Sequence, residues 1–265
     1  MASAVAVKPD IASGITSQGK YVFSPTGKAY GFNNNRSADR VLTMLKSGLA
    51  QHKENPPAKQ ELDSSLLETP YGRRPEPTTS ILRAYTRIKP VPAGSDPANE
   101  NVANDHLWIP QSEVASLLAT GEFPDSTRYR MARFTFNDNV RGEPDHWKSD
   151  EIETAIFDTK LQMEIGGNVI YAVSGRFSMK SKDGSRGLSV QLEGELKVNR
   201  ESKKIMGSKI LAKGSAWGKS TYTPNPPAGT FPIVFAIVEA NDLASRETPP
   251  QAIVFGNEYF QPKRR

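Results

Sequence analysis

The chain has 265 residues, enough to bury a sizeable core as one large domain or two small ones. It contains no cysteine, which excludes disulfides, zinc–thiolate sites, iron–sulfur ligation and thiol nucleophiles together. The formal net charge of +5 is mild, and no apolar run approaches the roughly 18 residues that span a bilayer. The opening residues lack the basic start and long apolar stretch of a secretory signal, so the expected location is the cytoplasm, with no membrane partner.

Residues 1–19 are small and polar and read as a loose arm. Residues 20–52 read as a small hairpin-plus-helix element. Tyr21-Val22-Phe23 and Ala29-Tyr30-Gly31-Phe32 flank the turn-rich Ser24-Pro25-Thr26-Gly27-Lys28. Ser37 is a good N-cap for a helix in which Val41, Leu42, Leu45 and Leu49 keep helical spacing. This strand–turn–strand–helix run resembles the closing portion of a thioredoxin-like domain. The Cys-x-x-Cys turn that carries that family's chemistry is absent, so the resemblance implies a structural element without redox activity. Asn35-Arg36-Ser37 matches a glycosylation triplet, which matters only in a secreted eukaryotic protein. Residues 53–80, rich in Pro, Lys, Glu and Ser, read as an exposed linker.

Residues 81–262 read as a β-rich domain. Ile81–Ile88 is a strand, Lys89–Asn104 a polar loop, His106–Ile109 a short strand and Pro110–Ala119 a helix with proline in its first turn. Arg128–Phe136 resumes strand character, and Asn137–Asp150 is a loop. Four up-and-down strands follow from Ala155 to Lys213. A type I′ turn at Asp183-Gly184 would pair Phe177 with Val190, Gly175 with Leu192, Val173 with Gly194 and Tyr171 with Leu196, placing every apolar residue on one face. A turn at Gly166–Asn168 would set Met163 against Tyr171 and Phe157 against Phe177. A loop at Arg200–Ser202 would set Leu196 against Met206 and Glu193 against Lys209. After the proline-rich Thr223–Thr230, the strand Phe231–Val238 is apolar on both faces and belongs in the middle of a sheet. The tail, 263–265, is a basic end. The expected fold is mainly β with minor α: an antiparallel up-and-down meander forming a barrel or sandwich, its interior filled by Phe157, Met163, Tyr171, Phe177 and Met206. Gly31-Phe32-Asn33-Asn34-Asn35, Arg141-Gly142-Glu143-Pro144-x-x-Trp147 and Pro249-Pro250-Gln251 resemble motifs of an uncharacterised bacterial protein family, a resemblance that implies no mechanism.

Two of the three histidines have similar surroundings, Asp105-His106-Leu107-Trp108 and Asp145-His146-Trp147, with Glu143 close to the second. His106, His146 and Glu143 would suit a divalent metal if the two loops meet. Asp105, His106, Glu143, Asp145 and His146 include His–carboxylate pairs able to act as general acid and base. The plainer alternative is that each Asp caps a turn, each Trp plugs the end of the barrel and each His is merely nearby. Glu143, Asp145, Asp150 and Glu151 offer carboxylates for glycoside hydrolysis with Trp147 to stack a sugar, but the same cluster beside Arg141 and Lys148 also suits a solvated ion-pair loop. Gly214–Ser220 imitates a phosphate-binding loop with one residue too few between its glycines and no helix to follow, so no nucleotide is expected there. No Gly-x-Ser-x-Gly elbow is present. Asn199–Lys219 carries six basic residues against one acid, but without a row of stacking aromatics it argues against a nucleic-acid partner. The expected function is a non-enzymatic β-rich binding or accessory module without a cofactor, its ligand held by loops near Trp108, Arg141, Trp147 and Trp217. The alternatives are a metal- or carboxylate-dependent hydrolase centred on the two Asp-His loops, and a structural protein that self-associates through its sheet edges.

Overall fold

The computed structural model describes residues 19–58, apart from 25, 27, 35 and 36, and residues 73–262. Nearly all of the expected arm, much of the linker and the basic tail lie outside the described residues. Contacts divide the chain into two units, Met1–Glu68 and Thr69–Arg265.

In the first unit, β1 (Lys20–Phe23) and β2 (Ala29–Asn33) pair antiparallel and α1 (Ala38–Glu54) follows. Gly48 is the buried residue of the helix: a Cβ there would sit 2.9 Å from Val22 Cγ1, so glycine is what lets the helix close on the hairpin. Ser37 occupies the N-cap position without a side-chain cap bond. The helical spacing of Leu42, Leu45 and Leu49 yields a helix, yet each of these leucines is about half exposed.

In the second unit seven strands form one antiparallel sheet: β3 (Ser80–Ile88), β4 (Ala103–Ile109), β5 (Ile152–Ile165), β6 (Asn168–Lys180), β7 (Gly187–Asn199), β8 (Lys204–Trp217) and β9 (Thr230–Glu239), in the order β4-β3-β9-β8-β7-β6-β5. The fold is mainly β, an antiparallel meander, as expected, but the sheet stays open and does not close into a barrel. What covers its inner face is not a second sheet. The chain between α2 (Gln111–Thr120), α3 (Asp125–Arg130) and Trp147 covers it, with Val114, Leu117, Phe123, Met131, Phe136 and Trp147 meeting Phe157, Phe177, Val190, Ile210 and Phe235. Burying one face of the sheet and leaving the other polar produces the period-two pattern along β6 and β7. Strand β9 is central, as its apolar character requires, and its second face (Val234, Ala236, Val238) is half-buried. A smaller core of Ile81, Trp108, Phe134, Ala252, Ile253 and Tyr259 forms where the C-terminal segment, with α4 (Leu243–Glu247) and α5 (Asn257–Phe260), packs beside β3 and β4.

Three expectations are corrected. Arg128–Phe136 is helical: α3 runs into a wide turn closed by the Phe136 N–H on the Met131 carbonyl at 2.9 Å. Met131 to Phe136 are all buried, and a segment buried all round shows no amphipathic period to mark it as a helix. The Asp183-Gly184 ladder has the expected register, but its turn is a longer loop spanning Ser181 to Arg186, in which Asp183 accepts from Ser181 Oγ and from Ser185 N and Oγ. The registers on either side are displaced by one residue at the turn and by a second at a bulge. Gly166-Gly167 closes a tight turn, Met163 faces Ile170, and past the bulge Phe157 faces Gly175. Leu196 faces Ser208, and Glu195, not Glu193, faces Lys209. Met163 and Met206 are therefore exposed and fill nothing.

Candidate functional site

The histidine–carboxylate residues fall into two separate sets. His106 lies on β4 opposite Arg83 of β3, and the Arg83 Nε–H donates to His106 Nε2 at 3.3 Å. Burial and the guanidinium together hold this imidazole below its ordinary range, so it is a neutral acceptor. Arg83 also donates to Ser245 Oγ, and Ser245 in turn donates to Asp242, the cap of α4. Asp105 accepts the His106 N–H at 2.7 Å and the Gln251 N–H at 2.9 Å on one oxygen. Burial pushes its carboxyl up to about 6 despite those two donors.

His146 stands elsewhere, edge-on between the rings of Phe134 (5.2 Å) and Phe255 (5.3 Å), with Nδ1 buried and unpartnered among the described residues. Burial, with Arg133 and Arg186 nearby, lowers its pKa to about 4. Asp145, one residue back, accepts the Thr221 N–H and hydroxyl, each at 3.0 Å. Asp150 pairs with Lys182 and Glu151 accepts the Lys148 N–H, while Glu143 is exposed. Among the described residues no group of three or more His, Asp or Glu side chains is placed to hold a metal ion, so His106, His146 and Glu143 are not gathered into a ligand set. Asp145, Asp150 and Glu151 are thus spent on loop hydrogen bonds and one ion pair.

The aromatic candidates part company as well. Trp108 is in the smaller core, 1 % exposed, its backbone N–H on the Tyr259 hydroxyl; it is not at a rim. Trp147 is equally buried, its indole N–H on the Phe136 carbonyl at 2.9 Å and its ring under the Arg186 guanidinium at 3.8 Å. Arg141 spends all five donors on its surroundings: Asp138 from Nε and Nη2, the Thr223 and Pro224 carbonyls from Nη1, and the Gly218 carbonyl from Nη2. It staples the loop after β8 to the 138–147 segment. Trp217 closes the set, its indole N–H on the Gly184 carbonyl at 3.1 Å and its ring where a Gly187 side chain would stand.

Arg141, Trp147 and Trp217 therefore do converge, at the end of the sheet where the 137–151, 181–186 and 218–229 loops meet. Between them, with Arg186 and Ser220, lies a cavity of about 10 Å³, room for about one water. On the outer side Trp217 lines an open concavity of about 570 Å³ with Gly218, Pro226, Pro227, Ala228, Gly229 and Thr230, none of them ionisable. The segment after Gly218 forms turns and loop rather than a helix, so no phosphate-binding helix N-terminus exists there. Sequence reasoning missed Arg186, whose stacking on Trp147 has no local signal. It also missed the buried Arg130–Glu113 pair, whose members sit 17 residues apart. The two are brought together only by the turn between α2 and α3.

This end of the open antiparallel sheet thus carries a concavity walled by Trp217, the last residue of β8, and by the loop that follows it. Compared with known protein families, characterised proteins and solved structures, the chain gives no match. No helix among the described residues is long and apolar enough to cross a membrane.

Proposed function

We propose that the protein is a non-catalytic binding module that engages a partner through the loops around Trp217. The observation that carries this reading is the open concavity there, which one anchored aromatic face and a proline-rich wall line without any charge. Such a surface recognises flat or apolar groups by stacking and by hydrogen bonds to loop backbone, not by ion pairing. The engagement of the other candidates supports it: all five donors of Arg141 and one oxygen each of Asp105 and Asp145 are bonded within the fold. The reading needs no cofactor. Its test is a titration of isotopically labelled protein with a soluble library of flat aromatic and sugar-like fragments. Shift changes gathered on the Trp217 indole and the Gly218 and Gly229 amides are expected. Changes gathered on His106 and Asp105 instead would overturn it in favour of a His–carboxylate hydrolase.

A further inference from the structure

The seven-stranded sheet has two edges, and the chain treats them differently. The β4 edge is closed by side chains and the C-terminal segment: the Gln251 N–H donates to Asp105 (2.9 Å), the Trp108 N–H donates to the Tyr259 hydroxyl (3.0 Å), and Arg130 donates to the Trp108 carbonyl (3.2 Å). At β5 the sheet ends: among the described residues its backbone bonds only to β6, while on the inner face the Thr159 hydroxyl donates to the Gly121 carbonyl and Phe123 packs on Phe157. Every residue from Lys160 to Gly167 is exposed, and Leu161, Met163 and Ile165 are 52 %, 53 % and 63 % exposed. Between its two bulges β5 keeps a regular, proline-free run from Thr154 to Leu161, and that run is a template for another strand.

Its charges specify which strand. Ile156, Asp158 and Lys160 share the outer face, opposite Arg176, Ser174 and Ala172 of β6. Asp158 and Lys160 are both exposed, and neither enters an ion pair among the described residues. A strand that pairs antiparallel with a copy of itself about a two-fold axis must keep like faces together, so allowed registers differ by whole steps of the self-paired residue. With Thr159 on the axis, Asp158 lies opposite Lys160 of the second copy, and by symmetry the pair forms twice. The same register sets the half-exposed Leu161 opposite Phe157 of the second copy on the inner face. Moving the axis to residue 158 or 160 sets Asp158 against itself or Lys160 against itself, and like charges directly opposite are destabilising. Lysine on an edge ordinarily keeps strands apart; here Asp158 two residues away turns that guard into a contact. We propose that two copies of the chain associate through β5 in this register, joining their sheets into one of twice seven strands.

The test is sedimentation equilibrium of the full chain over a wide concentration range. The mass is expected to rise from 29.1 kDa toward twice that value, and the association to weaken with salt. Asp158→Lys and Lys160→Asp should each weaken it about tenfold or more, because each replaces two attractive pairs with two repulsive ones. The double variant should restore it. Both side chains are exposed, so melting temperatures should stay within a degree or so of the parent and report that folding is intact. A mass fixed at 29.1 kDa at the highest concentration, a dimer indifferent to both single changes, or a double variant that stays dissociated would each overturn the proposal.

Discussion

Asp105 and His146 are half-buried titrating groups whose effects on stability run in opposite directions over almost the same range of pH. The Asp105 carboxyl is pushed by burial from 3.8 up to about 6, so the folded chain holds its proton more tightly than the unfolded chain. Stability from this group is therefore full below pH 4 and lost as pH rises to about 6. His146 is held by burial at about 4 instead of 6.5, so the folded chain binds its proton less tightly. Its contribution is full above pH 6.5 and lost as pH falls toward 4. Each effect amounts to about 1–3 kcal/mol at the limit of its window. In the parent protein the two offset each other between pH 4 and 6. Asp105→Asn keeps an oxygen for both N–H donors and removes the charge, so it should raise the melting temperature above pH 6 and leave it unchanged below pH 4. His146→Phe preserves the ring contacts with Phe134 and Phe255 and should stabilise the protein only on the acid side. Melting curves of both variants from pH 4 to 8 check this; parallel profiles for parent and variants would show that neither group titrates as its burial requires.

At the level of elements, the strands were legible where local pattern and pairing agree. The β6–β7 register follows from alternation alone, because both strands present an unbroken apolar face and a one-residue slip would expose it. The flanking registers were not legible, since each turn is one residue off the expected length and a bulge then inserts another residue without changing the composition that a pattern reads. The candidate site was half legible. Trp147 and Trp217 stand out as two of the three tryptophans and Arg141 by its motif, and the segments that carry them do meet. His106, His146 and Trp108 stand out in the same way, and tertiary packing sends them elsewhere. Nothing local could show that Arg130, on a segment of strand-like composition, is the centre of the helical layer. It forms two 2.7 Å bonds to Glu113, whose oxygens also accept from Ser126 and Thr127, and it donates to the carbonyls of Trp108, Tyr259 and Phe260. The pair thus ties α2, α3, β4 and the C-terminal segment together. Glu113→Ala would leave a buried guanidinium without its counter-charge and should cost about 3–5 kcal/mol, measured by urea unfolding. Adding Arg130→Met should recover part of that loss, because the stranded charge is removed along with its partner. A single-variant loss below about 1 kcal/mol would mean that the carbonyls alone satisfy Arg130.

At the scale of the whole molecule, the two units differ in how much they bury. The second has a continuous core running from β4 to β5, with aromatic contacts such as Phe136 to Phe177 at 4.6 Å and to Phe235 at 5.2 Å. The first has Tyr30, Ser24 and Gly48 buried among its described residues, while Phe23, Leu42, Leu45 and Leu49 stand half in solvent. Local opening is governed by the apolar contact that must be given up, so the energetic cost of opening should differ between the units in the same sense. Hydrogen exchange read by mass spectrometry on pepsin fragments should therefore find the amides of α1 exchanging at least a hundredfold faster than those of β6, β7 and β8. In β6–β8 the slowest amides should approach the free energy of global unfolding, because every strand there is hydrogen-bonded on both sides. Equal protection in α1 and the central strands would require the exposed leucines to be covered in solution. The apolar face of α1 would then be a packing surface instead of a marginal one.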